Sequence, residues 1–146
     1  MNNDIKRELI IENFNNPVNK GLTNDPSYLK EDKNNSSCID HFTIELKLNG
    51  DVIEDIRFDG EACAIATSSL SISISKLIGK TKEEAINIID NYNKMINGED
   101  FDKDLLEELI IYEEVSKQPA RVKCATLGID GILDLLKNKK VLNLYY

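Results

Sequence analysis

Four side chains have types that could act together: Cys38, Asp40, Cys63 and Cys124. Cys38-Ile39-Asp40 precedes a strand-like stretch, and residues i and i+2 of an extended chain project to the same side. A thiolate and a carboxylate there could chelate one ion. Cys63 stands just before a segment with helical spacing, and the positive end of a helix favours a thiolate. Cys124 falls in the second turn of the last predicted helix, beside its apolar stripe rather than in its centre. Arg121 and Gly128 share its face at i−3 and i+4. Arg121 would favour a thiolate or another anion, and Gly128 would leave space above the sulfur. Three thiolates and a carboxylate could complete a tetrahedral zinc site. Around a dication the set stays doubly negative, with Arg121 and Lys123 as compensators and one ligand open to exchange. The plainer reading is that these cysteines are small buried hydrophobes. No C-x-x-C pair is present, and gaps of 25 and 61 residues match no standard zinc finger. His41 reads as an exposed strand-end residue rather than the base of a Cys–His nucleophile.

The elements that must position these side chains show as periodicities. Residues 4–14 predict a short helix, with Ile5, Leu9 and Ile10 at helical spacing. Residues 13–37 read as a long loop with Pro17, Gly21, Pro26 and many asparagines; loops of that length in compact domains are often functional. Phe42, Ile44, Leu46 and Leu48 alternate as a half-buried strand. Asn49-Gly50 predicts a tight hairpin with φ > 0 at both positions, and residues 52–58 return as the second strand. A third strand could come from residues 59–62 or from part of the long loop. Residues 64–78 fit two templates. Leu70, Ile72 and Ile74 alternate like a strand, but Ala66, Leu70, Ile74, Leu77 and Ile78 share a helix face that Gly79 would stop, and the helix has more matches.

Thr81-Lys82-Glu83-Glu84 predicts a capping box. The stripe that follows is Ala85, Ile88, Ile89, Tyr92, Met95 and Ile96, ended by Asn97-Gly98. A further helix over 102–114 places Leu105, Leu106, Leu109 and Ile110 inward. The last begins near Pro119, a first-turn residue, and carries Val122, Ala125, Ile129, Ile132, Leu133 and Leu136. Helix, strands and then four helices make an α+β protein.

A length of 146 residues predicts one domain over 1–146, with 15–37 as its long loop. A net charge of −8 argues against nucleic acid as the main partner, because phosphate contacts need clustered Lys and Arg. No apolar run approaches the ~18 residues of a membrane helix, and residues 1–8 show no signal-peptide core or lipidation signal. A cytoplasmic protein is expected. Three cysteines cannot pair off as disulfides. In that compartment they suggest metal binding or thiol chemistry. Glycine-rich phosphate loops are absent, so nucleotide binding has no support.

Four motifs occur in order: Asn16-Pro17-Val-Asn-Lys-Gly21, Cys38-x-Asp40, Gly60-Glu-Ala-Cys63-Ala-Ile-Ala-Thr-Ser-Ser69, and Ser116-Lys-Gln-Pro119-Ala-Arg-Val-Lys-Cys124-Ala-Thr-Leu127. Together, over roughly residues 5–137, they resemble the U-type iron–sulfur cluster assembly family, NifU N-terminal and IscU-like, most closely its SufU branch. The long interval before the third cysteine favours that branch, as does Lys123 where IscU proteins typically have a histidine. Three departures stand out: Ile39 and Ala62 where glycines are usual, and Gly128-Ile129 for an aromatic-containing pair.

The resemblance implies a SufE/NifU-like α+β fold, with a small antiparallel three-stranded sheet against about five helices. It implies that Cys38, Asp40, Cys63 and Cys124 meet at one exposed end and bind zinc. It implies a sulfur acceptor, taking persulfide from a SufS-like, pyridoxal-phosphate cysteine desulfurase. Cys38 is the expected acceptor because it ends a polar loop and can swing out, with Cys124 second and Arg121 steadying the anion. The alternative the resemblance carries is a scaffold that binds Fe2+ and builds a [2Fe–2S] cluster for a downstream scaffold or apo-proteins. A zinc module that only binds partners is the third reading.

Overall fold

The computed structural model describes residues 2–35 and 39–145, with side chains to residue 137. Cys38 lies outside the described residues. The order is α1 (Asn3–Asn15), β1 (Leu29–Asn34), β2 (His41–Asn49), β3 (Val52–Asp59), α2 (Ala64–Leu77), α3 (Lys82–Ile96), α4 (Lys103–Leu106), a 3₁₀ segment (Glu107–Lys117) and α5 (Pro119–Tyr145). The three strands form one antiparallel sheet in the order β1-β2-β3. This is the expected α+β fold, with the 3₁₀ segment added.

Strict alternation in β2 turns Phe42, Ile44 and Leu46 to the core. Ile53, Ile56 and Phe58 of β3 join them, and Phe42 and Phe58 meet edge-to-face at 5.7 Å. In the hairpin Asn49 pairs with Val52, so the two-residue loop is Gly50-Asp51. Only Gly50 takes a positive φ, of 61°; Asn49 ends the strand instead of entering the turn.

The long loop is shorter than its composition suggests. β1 comes from within it, and residues 59–62 make no third strand: Asp59 ends β3 and 60–62 are irregular. Leu29–Asn34 (LKEDKN) holds a single apolar residue, so no periodicity marks it. Its pairing with β2 makes it a strand, and its charges suit a sheet edge. Residues 16–28 form a strap held on the sheet by polar groups. It first runs along the free edge of β3: Phe58 N–H donates to Asn19 O (3.2 Å), and Gly21 N–H to Phe58 O (2.6 Å). Arg57 Nε donates to Gly21 O at 2.8 Å. The strap then crosses the polar face. The Glu45 carboxylate accepts from Thr23 N–H (2.7 Å), Thr23 Oγ1 (3.1 Å) and Asn24 N–H (2.9 Å). Tyr28 donates its hydroxyl to Asp55 at 2.6 Å. Glu45 is 1% exposed, and those bonds replace the water it gave up.

α2 explains its own ambiguous pattern. Ala66 through Ile74 are all buried, because α1, α5 and the 3₁₀ segment surround the helix. Four of its serines, Ser68, Ser69, Ser71 and Ser73, are internal, and each finds a partner. Ser73 donates to Ser69 O (2.6 Å) and Ser69 to Ala66 O (3.1 Å). Ser71 donates to Asn13 of α1 (2.7 Å) and accepts from Val18 N–H (2.9 Å). Alternating serine and isoleucine here reflects two kinds of interior contact, not two sides of a strand.

Downstream, Thr81 and Glu84 form the predicted capping box. The α3 stripe is buried as expected. The predicted helix over 102–114 breaks at Glu107, whose φ is 49° and whose carboxylate meets Lys76 Nζ at 2.7 Å. Beyond the break the chain tightens to 3₁₀, and Leu109, Tyr112 and Val115 turn inward at a spacing of three. Leu105 and Ile110 are only half-buried.

α5 lies over β1 and β2 and against α2 and α3. Its Asp130 is lifted above the usual carboxylate range by burial, against the pull of Asn93 and Lys33. A raised acid favours folding while protonated, and that stability is lost as pH rises past 3.8 and through the folded value. Asn93 Nδ2 donates to Asp130 (3.3 Å), whereas Asn93 Oδ1 is buried and accepts no bond from the described residues. Asp130→Asn removes the buried charge and offers that oxygen a donor. We expect a gain of about 1 kcal/mol near neutrality that disappears below the carboxyl's titration. Urea midpoints of both proteins across that pH range check it; a variant weaker than the parent at neutral pH contradicts it.

Candidate metal centre

Asp40 is held from two directions just ahead of β2. Its carbonyl accepts from Asn35 N–H at 3.0 Å. Its Oδ1 accepts from Cys63 N–H at 2.8 Å. Cys63 is the N-cap of α2, with extended backbone and Sγ accepting from Ala66 N–H at 3.5 Å. Cys124, on α5, is 8% exposed. One oxygen of Asp40 and the sulfurs of Cys63 and Cys124 all lie within 4.8 Å of one another. They open into a depression of about 410 Å³ that Ile39, Ala62 and Arg121 also line.

Three glycines bring these donors together. Gly60 joins β3 to the α2 cap with φ of +136°, and a Cβ there would lie 2.2 Å from the His41 carbonyl oxygen. His41 N–H in turn donates to Glu61 O at 2.9 Å. The 60–62 segment therefore passes directly over the start of β2, and Cys63 arrives beside Asp40. Gly128 acts elsewhere than expected. A Cβ on it would lie 2.8 Å from Leu70 Cβ, so its bareness lets α5 close on α2 and does not clear space over the sulfur. Gly131 does the same against the sheet, where a Cβ would meet Ile44 Cδ1 at 2.5 Å.

The donors burden one another. Burial, and then the neighbouring Cys63 and Asp40, push the Cys124 thiol up to about 12. Two sulfurs and a carboxylate packed this closely resist ionisation together unless a cation joins them. That donor set suits zinc, whose ligands must be deprotonated.

Among the predicted site residues, Asp40, Cys63 and Cys124 meet. Cys38 falls outside the described residues, although its neighbour Ile39 lines the depression and is 87% exposed. Arg121 stands at the rim, exposed, and pairs with no carboxylate among the described residues. His41 is exposed at the head of β2, as expected. Gly60 was visible only as part of a motif. A glycine three residues before a ligand was its one signal.

The sheet, the helices and this three-donor cluster define a class. The NifU-like N terminal domain family matches residues 5–138, and the chain belongs to it. The chain is 38% identical over 123 residues to the zinc-dependent sulfurtransferase SufU of Bacillus subtilis strain 168, covering 84% of this chain and 82% of that protein. It is 33% identical to the iron–sulfur cluster assembly scaffold protein IscU of Thermotoga maritima, covering 89% and 91%. The crystal structure of FiSufU from Fervidobacterium islandicum AW-1 superposes with a TM-score of 0.80 at 33% identity, covering 88% of this chain and 94% of that one. Among the described residues, no helix is long and apolar enough to cross a membrane.

Proposed function

We propose that this chain works in iron–sulfur cluster biogenesis as a zinc-bound sulfur acceptor for a cysteine desulfurase, as a single cytoplasmic domain. The convergence of Asp40, Cys63 and Cys124 within 4.8 Å carries the reading. Likeness to a zinc-dependent sulfurtransferase supports it. Those three side chains, with Cys38, would hold the zinc. Bound zinc keeps the thiols deprotonated near neutral pH.

The chain's own part is nucleophilic. A thiolate of this chain, which we assign to Cys38, attacks the terminal sulfur of the partner's persulfide. The partner's S–S bond breaks, its cysteine leaves as thiolate, and a new S–S bond forms on Cys38. Nothing is oxidised or reduced overall. Cys124 is the weaker nucleophile candidate because it is buried and tied to Cys63 and Asp40. Arg121, exposed at the rim, steadies the negative sulfur in transit.

Cys38→Ala should abolish the stimulation of desulfurase turnover by this protein while zinc stays measurable on the remaining donors. Unchanged stimulation removes Cys38 from the role. The scaffold reading is favoured by the likeness to IscU proteins and by a carboxylate among the ligands. In it the [2Fe–2S] cluster is cargo, built on these residues and passed to a downstream scaffold or apo-protein. Anaerobic reconstitution separates the two. A stable, transferable chromophore supports the scaffold, and tight zinc without a cluster supports the acceptor. Metal content of the purified protein, with and without Asp40→Ala, shows which ion the donors select.

A further inference from the structure

The rim of the donor site carries one side chain that the chemistry above does not use. Ile39 is 87% exposed, whereas the other exposed large apolar side chains among the described residues, Ile5, Ile11, Phe14 and Val52, lie between 39% and 50%. Its outward stance is fixed by its neighbours. Asp40 is buried, its carbonyl bonded to Asn35 N–H at 3.0 Å and its Oδ1 to Cys63 N–H at 2.8 Å. His41 N–H is bonded to Glu61 O at 2.9 Å. Turning Ile39 inward would turn Asp40 out and break its bond to the α2 cap. The isoleucine is therefore held in water beside the donors, and its burial would be favourable.

Scattered apolar side chains on a surface are ordinary. Ile39 is not scattered. It shares the depression of about 410 Å³ with Ala62 and Ala120, which extend it as a shallow apolar wall around Asp40, Cys63 and Cys124. Three occupants could cover it. A small hydrophilic persulfide would leave it wet. A second copy of this chain would bring two sets of these donors face to face across a two-fold axis, and each chain carries a net charge of −8. A protein that delivers sulfur to Cys38 must lie over the next residue in the chain, and it buries Ile39 in doing so.

We propose that Ile39 is the docking contact by which this site selects a protein-bound persulfide over free ones, an apolar side chain beside the persulfide cysteine of the desulfurase seating against it. The proposal rests on the sulfur-acceptor reading above and names what the donor must present there.

Two sulfur donors separate docking from chemistry. One is a purified SufS-like cysteine desulfurase supplied with cysteine. The other is glutathione persulfide: the Cys38 thiolate takes its terminal sulfur, the S–S bond breaks, and glutathione leaves as thiolate. Ile39→Ser should raise about tenfold the concentration of zinc-loaded protein that half-maximally stimulates the desulfurase, with the maximal rate kept. Ile39→Leu should bring it back to within twofold of the parent. Val52→Ser, at the hairpin and outside the depression, should match the parent. Uptake from glutathione persulfide should be the same in Ile39→Ser and the parent. A half-maximal concentration in Ile39→Ser within twofold of the parent overturns the proposal. An equal loss with glutathione persulfide also overturns it, because Ile39 would then act in the chemistry. Calorimetric titration of the desulfurase with both proteins keeps the two readings apart. If the parent binds the desulfurase but takes no sulfur from either donor, the acceptor reading falls and the two affinities still decide on Ile39. A parent that does not bind the desulfurase, or that forms a dimer which Ile39→Ser abolishes, overturns the proposal, and uptake from glutathione persulfide then judges the acceptor reading separately.

Discussion

Gly60→Ala is expected to be the most damaging single-methyl change near the site. Its Cβ would lie 2.2 Å from a backbone oxygen and 3.0 Å from Phe42 Cα. Neither neighbour can rotate away, because both belong to β2, which pairs on both sides. The φ of +136° adds strain for any residue with a side chain. Together these cost about 3 to 5 kcal/mol, relieved only by lifting the 60–62 segment off the strand. Lifting it breaks the bond from Cys63 N–H to Asp40 and separates two of the donors. Gly50→Ala is the comparison: φ there is also positive, at +61°, but nothing lies within 4 Å of the added methyl. It should cost about 1 kcal/mol and leave metal uptake intact. Urea midpoints and zinc content of both variants decide the matter. A Gly60→Ala protein as stable and as zinc-loaded as Gly50→Ala would falsify the close-approach account.

Removing the Glu45 carboxylate is the second large effect. It holds two strap N–H groups and a hydroxyl from a position closed to water. Bonds to a charged acceptor are the stronger kind. Thr23 and Asn24 are exposed and can turn to solvent once released, which limits the damage. Glu45→Ala should cost about 3 kcal/mol, and Glu45→Gln about 2, because the amide has one acceptor oxygen where the carboxylate has two. The discriminating signature is local. Lys20, exposed on the strap, should become a preferred trypsin site in both variants. If digestion proceeds as in the parent, Glu45 is not what holds the strap down.

How much of this could be read from residue order differs from element to element. β2, β3, α3 and α5 announce themselves because each has one buried face, so burial imprints a period on the chain; α1 shows a weaker period, with only Leu9 and Ile10 partly buried against the core. β1 does not, since it gains strand geometry from β2 and contributes one apolar residue. The break at Glu107 is invisible for a related reason: its positive φ is imposed by what surrounds it, and nothing in Leu106-Glu107-Glu108 asks for it. α2 misleads because burial on every side erases the face that a pattern would report. At the site, Asp40, Cys63 and Cys124 are legible by type and by family motif, but not by spacing, since the fold closes gaps of 23 and 61 residues. Gly128 shows the limit of helical-face reasoning. The wheel places it above Cys124 but does not say that Leu70 fills the volume beyond. Tyr92 reads as one more stripe residue until its hydroxyl is seen to meet the Ala125 carbonyl in the interior.

Gly128 and Gly131, one turn apart on α5, have a consequence best stated as a problem in rigid-body mounting. One seats the helix against α2, whose cap is Cys63; the other seats it against Ile44 of β2, the strand that Asp40 precedes. A rod resting on two independent stops loses the freedom to slide toward one while leaving the other. Cys124, at the rod's near end, is located like the apex of a triangle surveyed from two fixed stations. Each side of that triangle can be lengthened by its own methyl group, so the sulfur–sulfur and sulfur–carboxylate spans are separately adjustable quantities.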